Sequence, residues 1–396
     1  MVCHLFSVSG AVFPKKNCNL VSTKRNQIMQ RFKALDVFRG MTVCLMIIVN
    51  TPGTWKAGHI FAPFLHAPWD GFTPTDLVFP SFLFAVGTAF AFVKSRWADK
   101  TMADVFGKIA KRTLIIFFLG YFLSWFPFVK WADGELVGKS FESTRFLGVL
   151  GRIALCYFFA AILIFYLNKR QLIIASGIIL FGYWGIMAGF GDFTLENNFG
   201  RTVDLLLLGD THMYHGEGIA FDPEGILSTF PAIVNVIGGY LAGAYIIMGK
   251  EITYEKVAKL FMYGCILMVL SYAWDLGFPI NKKLWTSSYV LLTIGINLTM
   301  LAGLIYAIDF KPKPISFNFF EIFGKNPLFI YVFSIFLVKV ISFFKIDGQS
   351  IYAWSYENLF LWMGPKTGSL VFALLFMMIC WSVGKWLDRK KIYIRV

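Results

Sequence analysis

The stretch Thr75–Val93 reads TDLVFPSFLFAVGTAFAFV, and after Asp76 it contains no charged side chain. As a helix it is long enough to cross the hydrocarbon core of a bilayer, which is about 30 Å thick. Nine similar runs recur in the 396-residue chain, which is 57% hydrophobic and only 15% charged. This apolar excess must face lipid, where helices satisfy their own backbone hydrogen bonds. The sequence therefore predicts an all-α polytopic membrane protein, a bundle of about ten transmembrane helices.

The distribution of Lys and Arg predicts the orientation of these spans. The predicted spans are 34–50, 75–93, 112–129, 146–167, 171–189, 228–248, 257–275, 287–308, 325–343 and 368–387. With a cytoplasmic N-terminus, the inner segments carry 25 Lys and Arg and the outer segments carry 9. Since such residues favour the cytoplasmic side, both termini are expected there. The loops 51–74, 190–227 and 276–287 then share the outer face, which is the periplasmic face if the membrane is a bacterial inner membrane.

Residues 1–30 form a basic stretch before the membrane domain, which we place at 31–396. We interpret this stretch as a cytoplasmic tail, either disordered or an upstream extension of the natural start. The net charge of +14 lies at the ends of the spans and does not indicate nucleic acid. The chain has no CxxC and no Cys/His cluster, so neither a disulfide framework nor a metal site is predicted.

The outer loop 51–74 is the most promising place for chemistry. His66 can exchange a proton near neutral pH and can therefore act as a general base or nucleophile. Either Asp70 or Asp76 can orient its imidazole, and Asn50 can donate a hydrogen bond to an oxyanion. Asp76 also suits a helix start, which is an equally plausible structural role.

Three further groups of residues and one arginine within a span are candidates. Asp36 and Arg39 are three residues apart on span one and can pair, as an interface anchor or as a phosphate site. Arg152 lies within a span and needs a partner.

Polar groups also flank two later spans. Asp222 and Glu224 stand before span six, where they can hold an ammonium group or cap the helix. Lys282, Trp285 and Ser287 form a polar and aromatic entry to span eight. For Trp285 the alternative is the interfacial aromatic belt.

Taken in order, these blocks resemble the catalytic membrane domain of the heparan-alpha-glucosaminide N-acetyltransferase family, over residues 31 to about 390. The matching blocks are LDVFRG (35–40), MIIVN-PG (46–53), LHAPWDGFTPTDLVFPSFLF (65–84), GVLGRIALCY (148–157), FDPEGILSTF (221–230), NKKLWTSSYVL (281–291) and GKNPLFIY (324–331). The family's N-terminal luminal domain has no counterpart, as in bacterial members.

The resemblance implies transfer of acetyl from acetyl-CoA to the amine of a terminal glucosamine. It implies that His66 is the active-site residue and that Asn50 lies near the acetyl group. The basic inner face, with Lys111, Arg112 and Arg39, then suits the CoA phosphates, and phospholipid head groups are the alternative explanation. Asp36 and Arg152 are grouped with this donor site. No metal is expected, and a homodimer remains open.

Two other functions compete with this interpretation. One is an O-acyltransferase that acts on a hydroxyl of a surface polysaccharide, because that broader group also carries an LD--RG block. The other is a proton-coupled transporter with His66 in a relay, to which the intramembrane Arg152 and Asp36 would also be suited. The chain shows no interrupted inverted repeat, which lowers the transporter interpretation.

Overall fold

The structure is a computed structural model that describes residues 32–94, 97, 101–132, 134–249, 251–311 and 316–394. Within these residues the chain forms thirteen α-helices and two short antiparallel hairpins. The helices are α1 (Lys33–Asn50), α2 (Val78–Lys94), α3 (Met102–Trp125), α4 (Val149–Tyr166), α5 (Lys169–Phe190), α6 (Phe199–Leu208), α7 (Ile226–Ile246), α8 (Tyr254–Asp275), α9 (Ser287–Ile305), α10 (Asn318–Lys325), α11 (Pro327–Phe343), α12 (Ile351–Leu359) and α13 (Pro365–Arg389). The hairpins pair β1 (Val129–Ala132) with β2 (Glu135–Gly138), and β3 (Lys345–Ile346) with β4 (Gln349–Ser350).

Each of the ten predicted spans falls on one of these helices. Among the described residues, seven helices are long and apolar enough to cross a membrane. The helices α10 and α11 meet at an angle of 84°, and if this bent pair is one span the number rises to eight. The seven are α2, α4, α5, α7, α8, α9 and α13. In α1 and α3 every stretch of 18 residues contains at least three charged side chains, so their crossing, the number ten and the cytoplasmic termini stay predictions. The predicted tail, 1–30, lies outside the described residues.

The start of α3 was predicted ten residues too late. Its first turns, from Met102, are polar and were assigned to a connection. Thr101 caps them by accepting a hydrogen bond from the backbone N–H of Asp104 at 3.2 Å. A charged extension of an apolar helix cannot be recognised from hydropathy, because its helicity comes from capping and propensity.

The helices α2 and α7 form the centre of the bundle. In each of them, 72% of the most apolar 18-residue stretch is buried inside the protein. The corresponding value is 22% in α5 and in α8, so α5 and α8 face outward. The contact between α2 and α7 depends on glycine: a Cβ at Gly87 would lie 1.9 Å from the carbonyl oxygen of Val236, and one at Gly239 would lie 2.0 Å from that of Phe84. Small residues let membrane helices approach closely, and this packing positions the N-terminal ends of both helices.

The loop 190–227 contains a helix, α6, that the sequence analysis missed. The Asn198 side chain caps this helix by accepting from Arg201 N at 2.8 Å. Asp204 on α6 accepts from Ile226 N at 2.8 Å, at the first residue of α7. The acidic loop is therefore partly a folded cover over the entrance of α7.

Candidate functional site

The three loops that were expected to share one face contact one another. Gly71 N donates to the carbonyl oxygen of Ile280 at 2.7 Å, and Asn281 Nδ2 donates to Asp70 Oδ1 at 3.1 Å. Trp69 Nε1 donates to the carbonyl oxygen of Phe193 at 2.8 Å. These bonds gather the loops 51–74, 190–227 and 276–287 around the N-terminal ends of α2, α7 and α9.

His66 and Asp76 form a hydrogen-bonded pair within this loop cluster. The two atoms His66 Nδ1 and Asp76 Oδ1 lie 2.7 Å apart. The carboxylate is buried, with 1% of its side chain exposed, while 41% of the His66 side chain is exposed. Since an ionised carboxylate only accepts, Nδ1–H donates to Asp76 and the lone pair of the imidazole is on Nε2. Between the two carboxylates that the sequence left open, the structure places Asp76 on His66 and Asp70 on Asn281.

The backbone around Asp76 explains why the carboxylate is held so firmly. Pro74–Leu77 is a single 3-10 turn before α2, and Thr73 and Asp76 form a capping box there. Asp76 Oδ2 accepts from Thr73 N at 3.0 Å, from Thr73 Oγ1 at 3.0 Å and from Ala67 N at 3.1 Å. Both roles that the sequence allowed for Asp76, a helix start and an orienting partner of His66, are therefore present in one side chain.

Lys282 adds a cation to the pair, which was not foreseen. Its Nζ lies 2.9 Å from His66 Nδ1, 3.2 Å from His66 Nε2 and 3.6 Å from Asp76 Oδ1. Burial lowers the pKa of Lys282, and the charges of Asp76 and Glu224 oppose that shift. The sequence analysis had placed Lys282 with the acceptor, whereas here it lies directly against His66.

Asn50 is the exposed last residue of α1, at the start of the loop that carries His66. Within the described part of the chain, no hydrogen bond joins Asn50 to His66. A direct role of Asn50 beside the imidazole therefore stays a prediction.

The Asp222–Glu224 block meets a cation that was not singled out in the sequence. Arg145 donates to both oxygens of Asp222, at 2.9 and 2.5 Å, and also pairs with Glu224. Burial favours the neutral form of Glu224, but the charges of Arg145 and Arg152 outweigh it and hold the pKa of Glu224 below its usual range. Binding of a substrate ammonium by these carboxylates stays a prediction, and their partner in the structure is Arg145. The sequence gives little indication of this ion pair, because Arg145 lies 77 residues from Asp222, in the loop before α4.

Arg152 is completely buried on α4. It donates to the carbonyl oxygen of Gly225 at 3.0 Å and to the Ser228 hydroxyl, and its guanidinium lies 4.9 Å from the Trp285 ring centroid. Its Nε and Nη1 have no hydrogen-bond partner among the described residues. The predicted need for a partner is thus met by the entrance of α7, close to the loop cluster.

Trp285 does not belong to an interfacial belt, so that alternative is wrong. Only 1% of Trp285 is exposed, and Nε1 donates to Asn235 Oδ1 at 3.0 Å inside the bundle. Its φ of 55° is in the left-handed region, which a bulky residue rarely adopts. The neighbouring Ser287 is also buried and donates to the carbonyl oxygen of Leu180 at 2.8 Å. Tyr289, in the first turn of α9, donates to the carbonyl oxygen of Asp76 at 2.7 Å and so helps to hold the residue that contacts His66.

The residues predicted for the donor fall into separate places. Arg39 and Arg112 line one cavity of about 500 Å³, including its open mouth, between α1, α2, α3, α4 and α11. Asp36 pairs with Arg39, as its spacing predicted. Lys111 is exposed beside Arg112, and Arg152 lies nearer the loop cluster. Among the described residues, no group of three or more His, Cys, Asp or Glu side chains is placed to hold a metal ion. Metal-free chemistry stays a prediction.

These features define a class: a polytopic helical membrane protein with a buried carboxylate, an accessible imidazole and a lysine at one end of the bundle. The sequence model described as "Heparan-alpha-glucosaminide N-acetyltransferase, catalytic" matches residues 31–247, which is more than half of the chain. The chain therefore belongs to the family of this catalytic domain.

Two curated relatives agree with that membership. The chain is 29% identical over 360 residues to the heparan-alpha-glucosaminide N-acetyltransferase of Homo sapiens, covering 76% of this chain and 52% of the relative. It is 28% identical over 366 residues to the protein of the same name from Mus musculus, covering 78% and 54%. The chain spans about half the length of the curated relatives that it matches.

Proposed function

We propose that this chain is a membrane acetyltransferase that moves the acetyl group of acetyl-CoA to the amine of a glucosamine-containing glycan. Family membership and the activity for which the human and mouse relatives are named support this reaction. The observation that carries it is the 2.7 Å contact between His66 and the buried Asp76, which fixes the imidazole with Nε2 outward. We place this site on the periplasmic face of a bacterial inner membrane, following the charge asymmetry of the loops.

In a direct transfer, His66 Nε2 takes the proton of the acceptor amine while the amine nitrogen attacks the thioester carbon. The N–C bond forms, the C–S bond breaks, and the CoA thiolate takes the proton from the imidazolium. Asp76 stabilises that imidazolium. The Lys282 ammonium and the Asn50 amide are donors for the oxyanion of the tetrahedral intermediate.

In a two-step transfer, His66 Nε2 attacks the thioester carbon first and becomes an acetyl-imidazolium as CoA leaves as the thiolate, which later takes the proton that the acceptor amine loses. The acceptor amine then attacks the same carbonyl carbon and displaces the imidazole. The arrangement of His66, Asp76 and Lys282 suits both routes. Incubation with labelled acetyl-CoA in the absence of acceptor separates them, because only the second route leaves the label on His66.

The cavity with Arg39 and Arg112 suits the phosphates of the donor. Guanidinium groups match phosphate oxygens in geometry and keep their charge. Phe82 and Ala89 line the cavity along α2, so it extends about 10 Å along the helix that begins beside Asp76. We propose that acetyl-CoA enters here from the cytoplasm, with Lys111 and Asp36 at the rim. Arg152 lies further along, towards His66.

Purified protein incubated with radiolabelled acetyl-CoA and an oligosaccharide ending in glucosamine tests the proposal. We expect N-acetylated product from the wild type and at least a 10³-fold slower transfer from His66→Ala. His59→Ala is the matched control, since His59 lies in the same loop and contacts a side-chain oxygen, Tyr356 OH, at 2.9 Å.

Three results would contradict the proposal in different ways. Equal rates for His66→Ala and wild type would remove His66 from the chemistry. Label found on a hydroxyl of the glycan would favour an O-acyltransferase. Failure of the wild type to bind acetyl-CoA would exclude the enzyme class.

A further inference from the structure

A second cavity lies in the cleft between α3, α4 and α11, and nothing in the proposed reaction uses it. It has about 570 Å³ of empty space, including its open mouth. Its walls are the C-terminal end of α3, the first turn of α4 and the face of α11 from Tyr331 to Lys339. We call it the basic cavity, defined by Arg145, Tyr331, Lys339 and the backbone of residues 148–151.

Two lysines contribute positive charge here without a counter-charge. Lys339 lines the cavity and donates to the carbonyl oxygen of Phe126 at 3.3 Å. Lys139 donates to the carbonyl oxygen of Ser124, another lining residue, at 2.7 Å. Within the described part of the chain, neither ammonium lies within 4.0 Å of a carboxylate. Each has three N–H donors, so the helix carbonyls leave donors unused, and a lysine in a membrane helix is costly without a partner.

The cavity also has a tyrosine hydroxyl available for a ligand. The Tyr331 residue is 3% exposed and lines the cavity, and its hydroxyl makes no hydrogen bond within the described residues. The hydroxyl is therefore free to donate to an anion in the cavity.

The start of α4 points in the same direction. Its N-cap is Gly148, without a side-chain cap, and residues 148–151 line the cavity. The exposed N–H groups of a helix N-terminus attract anions, particularly beside an ammonium group.

We propose that the basic cavity binds a phosphate-class oxyanion through the Lys339 ammonium, the Tyr331 hydroxyl and the N-terminal N–H groups of α4. Arg145 lines the cavity, but its charge is already paired with Asp222 and Glu224, so it is not part of the proposed anion site. The ligand carries a compact, doubly hydrogen-bonding anionic group, as found in a phospholipid head group or in free phosphate.

The surroundings allow both sources of this group. Exposed aromatic side chains flank the cleft on α3 and α11, which suits acyl chains that run beside a head group. These side chains are Phe118, Phe122 and Phe336. The cavity is also open, so a soluble anion can enter. The site is separate from the His66 cluster, so it stands or falls independently of the acetyl transfer.

Thermal unfolding of the full chain in detergent tests the proposal with three probes. These are inorganic phosphate, phosphatidylglycerol, and diacylglycerol as a lipid without phosphate. We expect phosphatidylglycerol or inorganic phosphate at saturation to raise the melting temperature by about 2 to 4 °C, and diacylglycerol to leave it unchanged. A response to phosphatidylglycerol alone assigns the lipid as source, and a response to inorganic phosphate assigns the free anion.

Variants tie the response to the cavity. Lys339→Gln should weaken the affinity for the probe that raises the melting temperature about tenfold or more, since it removes a charge-assisted hydrogen bond. Lys339→Arg keeps the charge and should retain binding, which guards against misfolding of the first variant. Tyr331→Phe should weaken binding by a smaller factor. Lys345→Gln, an equal loss of charge on the exposed β3 strand, is the matched control.

Two results would overturn the proposal. One is the absence of any response to both phosphate-bearing probes. The other is an equal response in Lys339→Gln and wild type.

Discussion

Two buried carboxylates at the same end of the bundle, Asp76 and Asp222, have opposite kinds of partner. Asp76 holds His66 at 2.7 Å, whereas Asp222 is held by two nitrogens of Arg145 at 2.9 and 2.5 Å. An imidazole gains and loses a proton near neutral pH, but a guanidinium keeps its charge. A buried carboxylate in this chain therefore does not indicate chemistry by itself. Its partner decides between a reactive pair and a structural clamp.

The two pairs also differ in how far apart their residues are in the sequence. His66 and Asp76 are ten residues apart in the sequence, and their contact leaves the imidazole lone pair on Nε2, 3.2 Å from Lys282 Nζ. Arg145 and Asp222 are 77 residues apart and join the loop before α4 to the entrance of α7. We therefore expect substitutions at the first pair to change the rate, and substitutions at the second to change the stability.

The largest expected effect is that of Asp76→Asn. The neutral amide cannot stabilise the imidazolium and allows the wrong tautomer of His66, so acetyl transfer should fall by roughly 10³-fold. The rate of N-acetylation at saturating acetyl-CoA measures this. A loss below about tenfold, with the protein folded, would make the pair structural and remove the contrast with Asp222.

Arg145→Met should act mainly on folding. It leaves Asp222 buried without its cation, which costs about 3 to 5 kcal/mol. The midpoint of thermal unfolding in detergent should fall accordingly, and a second change, Asp222→Asn, should restore part of it. Activity lost at unchanged stability would instead assign the Asp222–Glu224 block to the acceptor site.

Asp204 is a third buried carboxylate, and unlike Asp76 and Asp222 it has no ion pair among the described residues. Burial, reinforced by Asp222, raises the pKa of Asp204 to about 7, although the Ile226 N–H opposes the shift. The folded state then keeps this proton between about pH 4 and 7, while the unfolded chain releases it. Stability should therefore fall as the pH rises through that window and level off above it.

The matched variant for this effect is Asp204→Asn, a neutral isostere that can still accept from Ile226 N. The difference in unfolding free energy between wild type and variant should change by on the order of 2 to 4 kcal/mol from pH 4 to 8. A constant difference over this range would show that Asp204 does not titrate there.

The smallest expected effect is that of Lys282→Met. It removes one donor to the oxyanion but leaves His66 and Asp76 in place, so the rate of transfer should fall about tenfold. Lys282→Arg should recover part of the rate, because it restores a cation. If Lys282→Met raises the KM for the acceptor at constant kcat, Lys282 binds the substrate, as the sequence analysis had placed it.

Much of the fold was predictable because a bilayer imposes a length and a polarity on each span. The stretch predicted at 75–93 is helical from Pro74 to Lys94, as a 3-10 turn followed by α2, and each of the other nine runs also falls on a helix. The errors are where hydropathy carries no signal. The polar first turns of α3 and the short helix α6 form through caps at Thr101 and Asn198.

The candidate site was predictable only where its residues are close in sequence. The pairing of Asp36 with Arg39 follows from their spacing of three residues on a helix. His66 and its two candidate carboxylates, Asp70 and Asp76, were recognisable because they lie within one short stretch. Nothing local indicates that Arg145 clamps Asp222, or that Lys282 lies against His66 from 216 residues away. For Trp285 the sequence left open a role in substrate binding or a place in the interfacial belt, and its burial excludes the belt.

By itself, the sequence determined that this chain is a helical membrane protein, which loop carries the imidazole, and which family it resembles. These depend on composition, periodicity and local motifs, which any single segment carries. Only the tertiary structure decided that Asp76 rather than Asp70 holds His66, that Lys282 joins them, and that Arg145 neutralises Asp222. Such contacts depend on how α2, α4, α7 and α9 pack together, and this packing is a property of the whole chain.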